Sequence, residues 1–412
     1  MIRHRLVLSL LFCCALGAAE QVVDLPTALV RSPAISAARA RVQAAGLAAR
    51  AAGVLPDPMV GIGVGRELPR MGETMDMYGA MIEQPLPRWG ERDAMRQTAL
   101  AQVAMAEADF AELVGEHAAG IAAAGAEAQA AEQSLVLVEE SRDRVRALGE
   151  VVRARVAGGG GMIGESLALD TRAQQLDLQL ADLARRRADA EAEVRGRLGL
   201  PADAALPPLS LPDPAAIRPD ATPMARRAAA SHGEAEAMAQ EAIARGNPET
   251  AVGLSWDREA VGTEEQVDKY NLTFRVSLPV WRQAYGEAAD AARGRARAAA
   301  HEARASGWMA RSQVGRAQRA VEQAARAQAV ADGIAGRGLT EYDAVIRQVG
   351  TGNASIMTVL DLLDRISEAR MQAIEARLTS QLALAQLWRL APPTLPEAVG
   401  AASDHNHRMG TP

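Results

Sequence analysis

Apolar positions along this chain follow two different periods. In four short segments (59–64, 77–84, 251–256 and 270–277), apolar residues alternate with polar or small ones, as in a half-exposed β-strand. Elsewhere they recur at helical spacing over long stretches that contain no proline. The pattern predicts a mostly helical protein that carries two β-hairpins.

The helical stretches are unusually long. One is predicted from about residue 88 to 156 and another from about 286 to 349, and at 1.5 Å per residue the first measures about 100 Å. Alternate steps of four and three residues from Phe110 to Val156 reach fourteen positions, eleven of them apolar, which indicates a coiled-coil seam. Glycine turns at 158–161 and 350–352 precede return helices predicted at 163–200 and 355–391. Each return helix and the shorter helix before the hairpin (34–52 or 224–245) can stack end to end beside the long helix.

The chain is an internal duplication, because its landmarks repeat at one offset of 192 residues. These landmarks are proline, glycine, arginine and leucine positions that match pairwise in the two halves: Pro56 with Pro248, Gly61 with Gly253, Arg66 with Arg258, Gly158 with Gly350, Gly160 with Gly352, Leu198 with Leu390, and Pro201 with Pro393. A single supersecondary unit therefore occurs twice.

Five regions follow from this duplication. Residues 1–19 have a basic start, an apolar run and small residues at the end, as in a secretory signal peptide. The first repeat covers 20–205, a proline-rich extended linker covers 206–223, the second repeat covers 224–395, and a disordered tail covers 396–412. Both cysteines, Cys13 and Cys14, lie in the leader, and lipidation at Cys14 is left open.

Composition restricts the chemistry. Alanine supplies 89 of the 412 residues and aromatic residues only 3%, which suits closely packed long helices better than a thick globular core. The net charge is -6, and the basic residues are dispersed among carboxylates, so no nucleic-acid partner is predicted. No nucleophile–base set, phosphate loop or metal-ligand cluster stands out in the sequence, so neither an enzyme nor a cofactor or metal is predicted.

Aromatic residues concentrate around the predicted strands. Seven of the twelve fall in residues 56–90 and 248–286: Tyr78, Trp89, Trp256, Tyr270, Phe274, Trp281 and Tyr285. Such clustering is typical of the interfacial belt of a transmembrane β-barrel, although strands also favour aromatic residues for other reasons. Four strands cannot close a barrel, so a membrane barrel requires strands from further copies of the chain.

These features together resemble the TolC family of outer-membrane efflux channels, in particular the outer-membrane members of tripartite heavy-metal and drug efflux pumps. The similarity covers about residues 28–393. It rests on Leu55-Pro-Asp-Pro58, Gln84-Pro-Leu-Pro-Arg-Trp-Gly90, Val276-Ser-Leu-Pro-Val-Trp281 and Thr358-Val-Leu-Asp-Leu-Leu-Asp364, in this order and within the duplication.

The resemblance implies a homotrimer in which four strands per chain form a 12-stranded β-barrel in outer-membrane lipid and the helices form an α-barrel tunnel across the periplasm of a Gram-negative bacterium. It also implies two partners, a periplasmic membrane-fusion adaptor and an inner-membrane RND-type pump. The tip turns that would face the adaptor contain Gly158, Gly160, Gly350 and Gly352.

The resemblance further assigns Asp361 and Asp364 to acidic rings at the periplasmic aperture, and their spacing places both on one helix face. A solvated helix surface is the other interpretation of these two residues. Gly352 and Met357 stand where the family has a tyrosine and an arginine latch, so that latch is not matched.

Two further classes remain open at this stage. A periplasmic coiled-coil adaptor would have one long hairpin flanked by lipoyl-like and barrel halves, rather than two duplicated units. A coiled-coil scaffold without a membrane barrel would not need strands with clustered aromatic residues.

Overall fold

A computed structural model describes residues 23–67, 75–158, 163–207, 209–210, 217–261, 265–350 and 356–396. The leader with Cys14, the tip residues Gly160 and Gly352, and all of the tail after residue 396 lie outside the described residues. The elements, in chain order, are β1 (Val23–Asp24), α1 (Leu25–Val30), α2 (Pro33–Ala51), β2 (Met59–Glu67), β3 (Met75–Leu86), α3 (Glu91–Ala157), α4 (Ile163–Leu198), β4 (Leu209–Ser210), a 3-10 turn (Pro219–Ala221), α5 (Pro223–Ala244), β5 (Glu249–Val261), β6 (Glu265–Ser277), α6 (Arg282–Gly350) and α7 (Ile356–Leu390).

The same order of elements occurs twice, as the duplication predicts. A helix, two strands, a long helix and a return helix run from α2 to α4 and again from α5 to α7. The fold is therefore mostly helical, with one four-stranded antiparallel sheet and a two-residue parallel pairing of β1 with β4. The predicted mostly helical fold with two β-hairpins is confirmed. Contacts within the chain divide it into a sheet unit (39–109 and 224–308) and a helical unit (23–38, 110–223 and 309–396).

The sheet unit holds a four-stranded antiparallel sheet in the order β2-β3-β5-β6. Its middle pair, β3 and β5, joins the two repeats, so each repeat supplies one hairpin. β3 continues through Pro85 to Leu86, two residues beyond the predicted strand. A proline is tolerated there because the strand is about to end.

Helix α3 begins directly after the sheet, at a start that local chemistry favours. Gly90 takes a positive φ of 84°, which is accessible to glycine at no steric cost. The Glu91 carboxylate accepts a hydrogen bond from the Arg88 backbone N–H at 3.0 Å, and Glu91 and Asp93 place negative charge in the first turn. Helix α6 starts at Arg282, four residues before the predicted start, because Gly286 is accommodated inside the helix.

The helical unit contains two apolar cores. The first joins the N-terminal segment to α3, α4 and α7 and includes Leu25, Leu29, Ile35, Ile121, Val194 and Trp388. The second joins α3, α4 and α7 and includes Val138, Val145, Val152, Leu169, Leu176 and Leu360. All fourteen positions of the predicted α3 seam are buried or half-buried. The seam prediction is confirmed, and the helices pack through a narrow row of apolar residues with many alanines beside it.

Candidate functional site

The register of the sheet sorts its side chains onto two faces. Because paired residues of antiparallel strands share a face, the rows can be followed across all four strands. One row runs through Ile62, Ala80, Trp256 and Tyr270, the next through Val60, Ile82, Leu254 and Leu272, and a third through Gln84, Val252 and Phe274. Large apolar and aromatic side chains therefore collect on one face of the sheet.

This apolar face is open. The side chain of Ile62 is 83% exposed and that of Phe274 is 70% exposed, and Tyr270, Leu272, Leu254 and Val60 are exposed as well. Exposed apolar side chains on a water-soluble surface are usually scattered singly, whereas these form one contiguous patch across four strands. Such a face needs an apolar environment outside this chain.

The opposite face carries mostly polar and small residues, with Met59 and Met81 among them. It presents glycines on β2 and charged or amide side chains on β5 and β6: Gly61, Gly63, Gly65, Ser255, Asp257, Lys269, Asn271 and Arg275. Asn271 donates to the Asp257 carboxylate at 3.2 Å. A Cβ at Gly79 would lie 2.7 Å from an Asp257 carboxylate oxygen, so the glycine leaves room for this hydrogen-bonded group.

At the β5–β6 turn end of the apolar face, an aromatic ring and an ion pair occur together. The Arg258 guanidinium lies 5.2 Å from the centre of the Trp256 ring. Arg258 also donates to both oxygens of the Asp268 carboxylate at 2.7 and 2.9 Å, and the Trp256 indole N–H donates to Asp268 at 3.2 Å. An amphipathic ring with a polar partner on one side suits a boundary between an apolar phase and water.

The seven aromatic residues singled out from the sequence occupy two kinds of place. Tyr78, Trp256, Tyr270 and Phe274 lie in strands, on the apolar face. Trp89 and Trp281 stand immediately before the long helices, and Tyr285 lies in the first turn of α6. All are exposed except Trp256, which is half-buried. Asn247 fixes the backbone at Trp89 by donating to its carbonyl at 2.9 Å.

In the helical unit, the two predicted aperture aspartates lie near the start of α7, and each is held by an arginine. Asp361 pairs with Arg365 one turn later in α7 at 2.8 Å. Asp364 accepts from two nitrogens of Arg172, which belongs to α4, at 2.6 and 3.2 Å. Of the tip glycines, Gly158 follows the last residue of α3 and Gly350 is the last residue of α6.

The arginine partners were not singled out by the sequence analysis. Arg172 and Asp364 are 192 residues apart, and so are Glu83 and the arginine that binds it, Arg275. Both pairs could therefore have been found from the duplication offset, because each joins equivalent positions of the two repeats.

Arg185 and Asp182 lie on the solvated surface of α4. Arg185 donates to the Asp182 carboxylate at 2.8 Å, and this hydrogen bond lowers the pKa of Asp182. No group of three His, Cys, Asp or Glu side chains within the described ranges is arranged to hold a metal ion. Among the same residues, no helix has both the length and the apolar composition to cross a membrane.

This chain resembles known outer membrane proteins in part of its sequence and in its structure. The family model described as outer membrane efflux protein matches residues 25–200. Among curated proteins, none matches this chain significantly in sequence.

The chain is similar in structure to a membrane protein from Pseudomonas aeruginosa (TM-score 0.73, 15% identity, 92% of this chain and 98% of the other). It is also similar to the outer membrane protein VceC from Vibrio cholerae (TM-score 0.71, 15% identity, 88% and 94%) and to the open MtrE outer membrane channel of Neisseria gonorrhoeae (TM-score 0.70, 17% identity, 88% and 86%). Residues 25–200 therefore match the family of outer membrane efflux proteins, and the chain as a whole shares the fold of these outer membrane channels.

Proposed function

We propose that three copies of this chain form the outer-membrane channel of a tripartite efflux system. The channel is a passive conduit through which metal ions or drugs pass from a periplasmic adaptor and an inner-membrane RND-type pump to the exterior. The observation that carries the proposal is the four-stranded sheet, with one exposed apolar face, one polar face and two open edges.

The open edges argue for assembly. Within the described residues, β2 and β6 each pair on one side only, and an unpaired edge is a template for a further strand. A closed barrel needs about eight strands at least, which one copy cannot supply. Three copies supply twelve, with β2 of one chain beside β6 of the next, so that the apolar faces turn to lipid and the polar faces line the lumen.

Helix α6 supports the same conclusion. Its counterpart α3 buries a long row of side chains within the chain, whereas the described part of α6 buries few. Among the large apolar side chains that α6 leaves exposed are Trp308, Met309, Val330 and Ile334. Neighbouring chains in a trimer would cover such a helix. We infer that the folded monomer does not persist alone, because it would expose both the sheet edges and this helix to water.

The partners and the aperture follow from the family resemblance. Gly158, Gly160, Gly350 and Gly352 would mark the tip turns that meet the adaptor. Asp361 and Asp364 lie within three turns of the start of α7, so three-fold symmetry would place them in rings at the tip end of the tunnel.

The proposal is tested on protein extracted from outer membranes in mild detergent. We expect a trimer that resists dodecyl sulfate until it is heated, and stepwise conductance when it is added to planar bilayers. A stable, monodisperse monomer without conductance would contradict the proposal and favour the coiled-coil adaptor or scaffold, for which the comparisons give no support.

A further inference from the structure

Two ion pairs of this chain each join residues that are 192 positions apart, the offset between the repeats. Arg172 and Asp364 meet at 2.6 Å in the helical unit, and Arg275 and Glu83 meet at 2.6 Å in the sheet unit. Equivalent positions of the two repeats therefore carry opposite charges, and in both cases the two charges are in direct contact.

The first pair links the two return helices. Arg172 of α4 directs two nitrogens to one oxygen of Asp364 of α7, and another nitrogen to Gln175 at 3.3 Å. The side chains are 30% and 49% exposed, so water reaches both. Because Arg365 holds Asp361 nearby, neither of the two aperture aspartates is an isolated negative charge.

The second pair spans the sheet. Glu83 lies on β3 and Arg275 on β6, with β5 between them. The β5 residue opposite Glu83 is Gly253, and a Cβ there would lie 3.8 Å from the Glu83 side chain. The absence of a larger side chain at this position lets Arg275 reach Glu83 across the middle strand, on the polar face of the sheet.

Opposite charges at equivalent positions change the electrostatics of a symmetric conduit. In the trimer of the proposed function, on which this inference rests, each position would occur three times from each repeat. A ring of like charges selects ions of the other sign. A ring in which arginine alternates with aspartate has no net charge and selects weakly.

We propose that the Arg172 and Asp364 side chains of the three chains form a ring around the conduit that has no net charge. Arg172 is then the residue that prevents Asp364 from making the channel cation-selective. The Glu83–Arg275 pair repeats the same arrangement on the polar face of the sheet. Arg172 is thus a selectivity-determining residue, and its effect comes from its partner in the other repeat.

The experiment is a reversal-potential measurement on single channels in planar bilayers under a KCl gradient. Arg172→Gln should raise the potassium-to-chloride permeability ratio, and Asp364→Asn should lower it, each by roughly twofold or more, since each variant leaves three like charges beside the permeating ions. The double variant and the charge swap Arg172→Asp with Asp364→Arg should both return to the wild-type ratio.

A matched control is available on the same helix. Asp170 of α4 pairs with Arg153 of α3 at 2.9 Å, and both side chains are about half exposed. Asp170 points about 200° around the helix from Arg172. Arg153→Gln and Asp170→Asn should leave the permeability ratio unchanged.

The outcomes separate the two proposals. If the wild-type protein gives no conductance steps, the channel itself is refuted and the inference fails with it. If steps appear but Arg172→Gln and Asp364→Asn shift the ratio in the same direction or not at all, the charge balance alone is refuted. Should Arg172→Gln fail to assemble, the charge swap decides, because a swapped channel with altered selectivity contradicts the inference.

Discussion

Large apolar side chains lie inside the helical unit of this chain but on the outside of its sheet. In the helical unit they are inside, as with Leu169, which is 1% exposed. In the sheet they point away from the chain, and the polar side chains cover the other face. In the proposed channel one sequence follows both rules because its two regions face different surroundings, with water around the helices and lipid around the sheet.

The largest effect is expected where water is the surrounding solvent. Leu169→Ala empties a buried site between α3, α4 and α7 and should lower the free energy of unfolding by about 2–5 kcal/mol. Thermal unfolding of the detergent-solubilised protein measures this loss. Leu178→Ala, on the same helix but exposed, should cost much less, and equal losses at the two positions would contradict the proposed core.

The sheet should respond to charge on one face only. Leu254→Arg places a cation on the apolar face and should cost about 2–4 kcal/mol near the bilayer midplane, which reduces the trimer recovered from outer membranes. Ser255→Arg, one residue later, falls on the polar face beside Asp257 and should be tolerated. Equal tolerance at 254 and 255 would mean that the sheet does not lie in a bilayer.

The junction between α2 and the sheet gives a smaller effect. Gly53 has a φ of 71°, and a Cβ there would lie 2.8 Å from the Arg92 backbone oxygen. Gly53→Ala should therefore cost about 1–3 kcal/mol, seen as a lower unfolding temperature. Gly46→Ala, inside α2 with open space around it, should leave stability unchanged or raise it by up to about 1 kcal/mol.

The smallest effect concerns surface charge. Because its pKa is lowered by Arg185, ionised Asp182 adds stability above its unfolded pKa of about 4, and this is lost as pH falls through the lowered folded value. The pair is exposed, so Asp182→Asn should change the unfolding temperature little at pH 7 and flatten its fall at acidic pH slightly. A large destabilisation at pH 7 would show that Asp182 makes an additional contact in the assembly.

Much of the fold could be predicted because its signals are periodic. Alternation located all four strands of the antiparallel sheet, and seven-residue spacing located the α3 seam, since both depend only on which faces are apolar. Because each element of the first repeat has a counterpart 192 residues later, every prediction in one repeat could be checked against the other. Helix ends were less predictable, as at α6, because a glycine such as Gly286 can either precede a helix or lie within it.

The site was predicted less completely, and the reason is geometric. Asp361 and Asp364 could be selected from one helix, and Arg365 follows Asp361 by one turn of that helix. The arginine partner of Asp364, in contrast, depends on which helices meet. Arg172 lies on another helix in the other repeat, and Arg275 reaches Glu83 across an intervening strand. Local sequence spacing does not predict such contacts. Both pairs are found, however, when charged residues 192 positions apart are compared.

The most direct test of the two-environment account is a spin-label scan of β6. Single cysteines at positions 270 to 277, with Cys13 and Cys14 replaced, would each carry a nitroxide in trimers reconstituted into lipid. We predict that labels at 270, 272, 274 and 276 are most accessible to dissolved oxygen, and that labels at 271, 273, 275 and 277 are most accessible to a water-soluble nickel complex. Uniform access of the nickel complex to all eight positions would contradict the account.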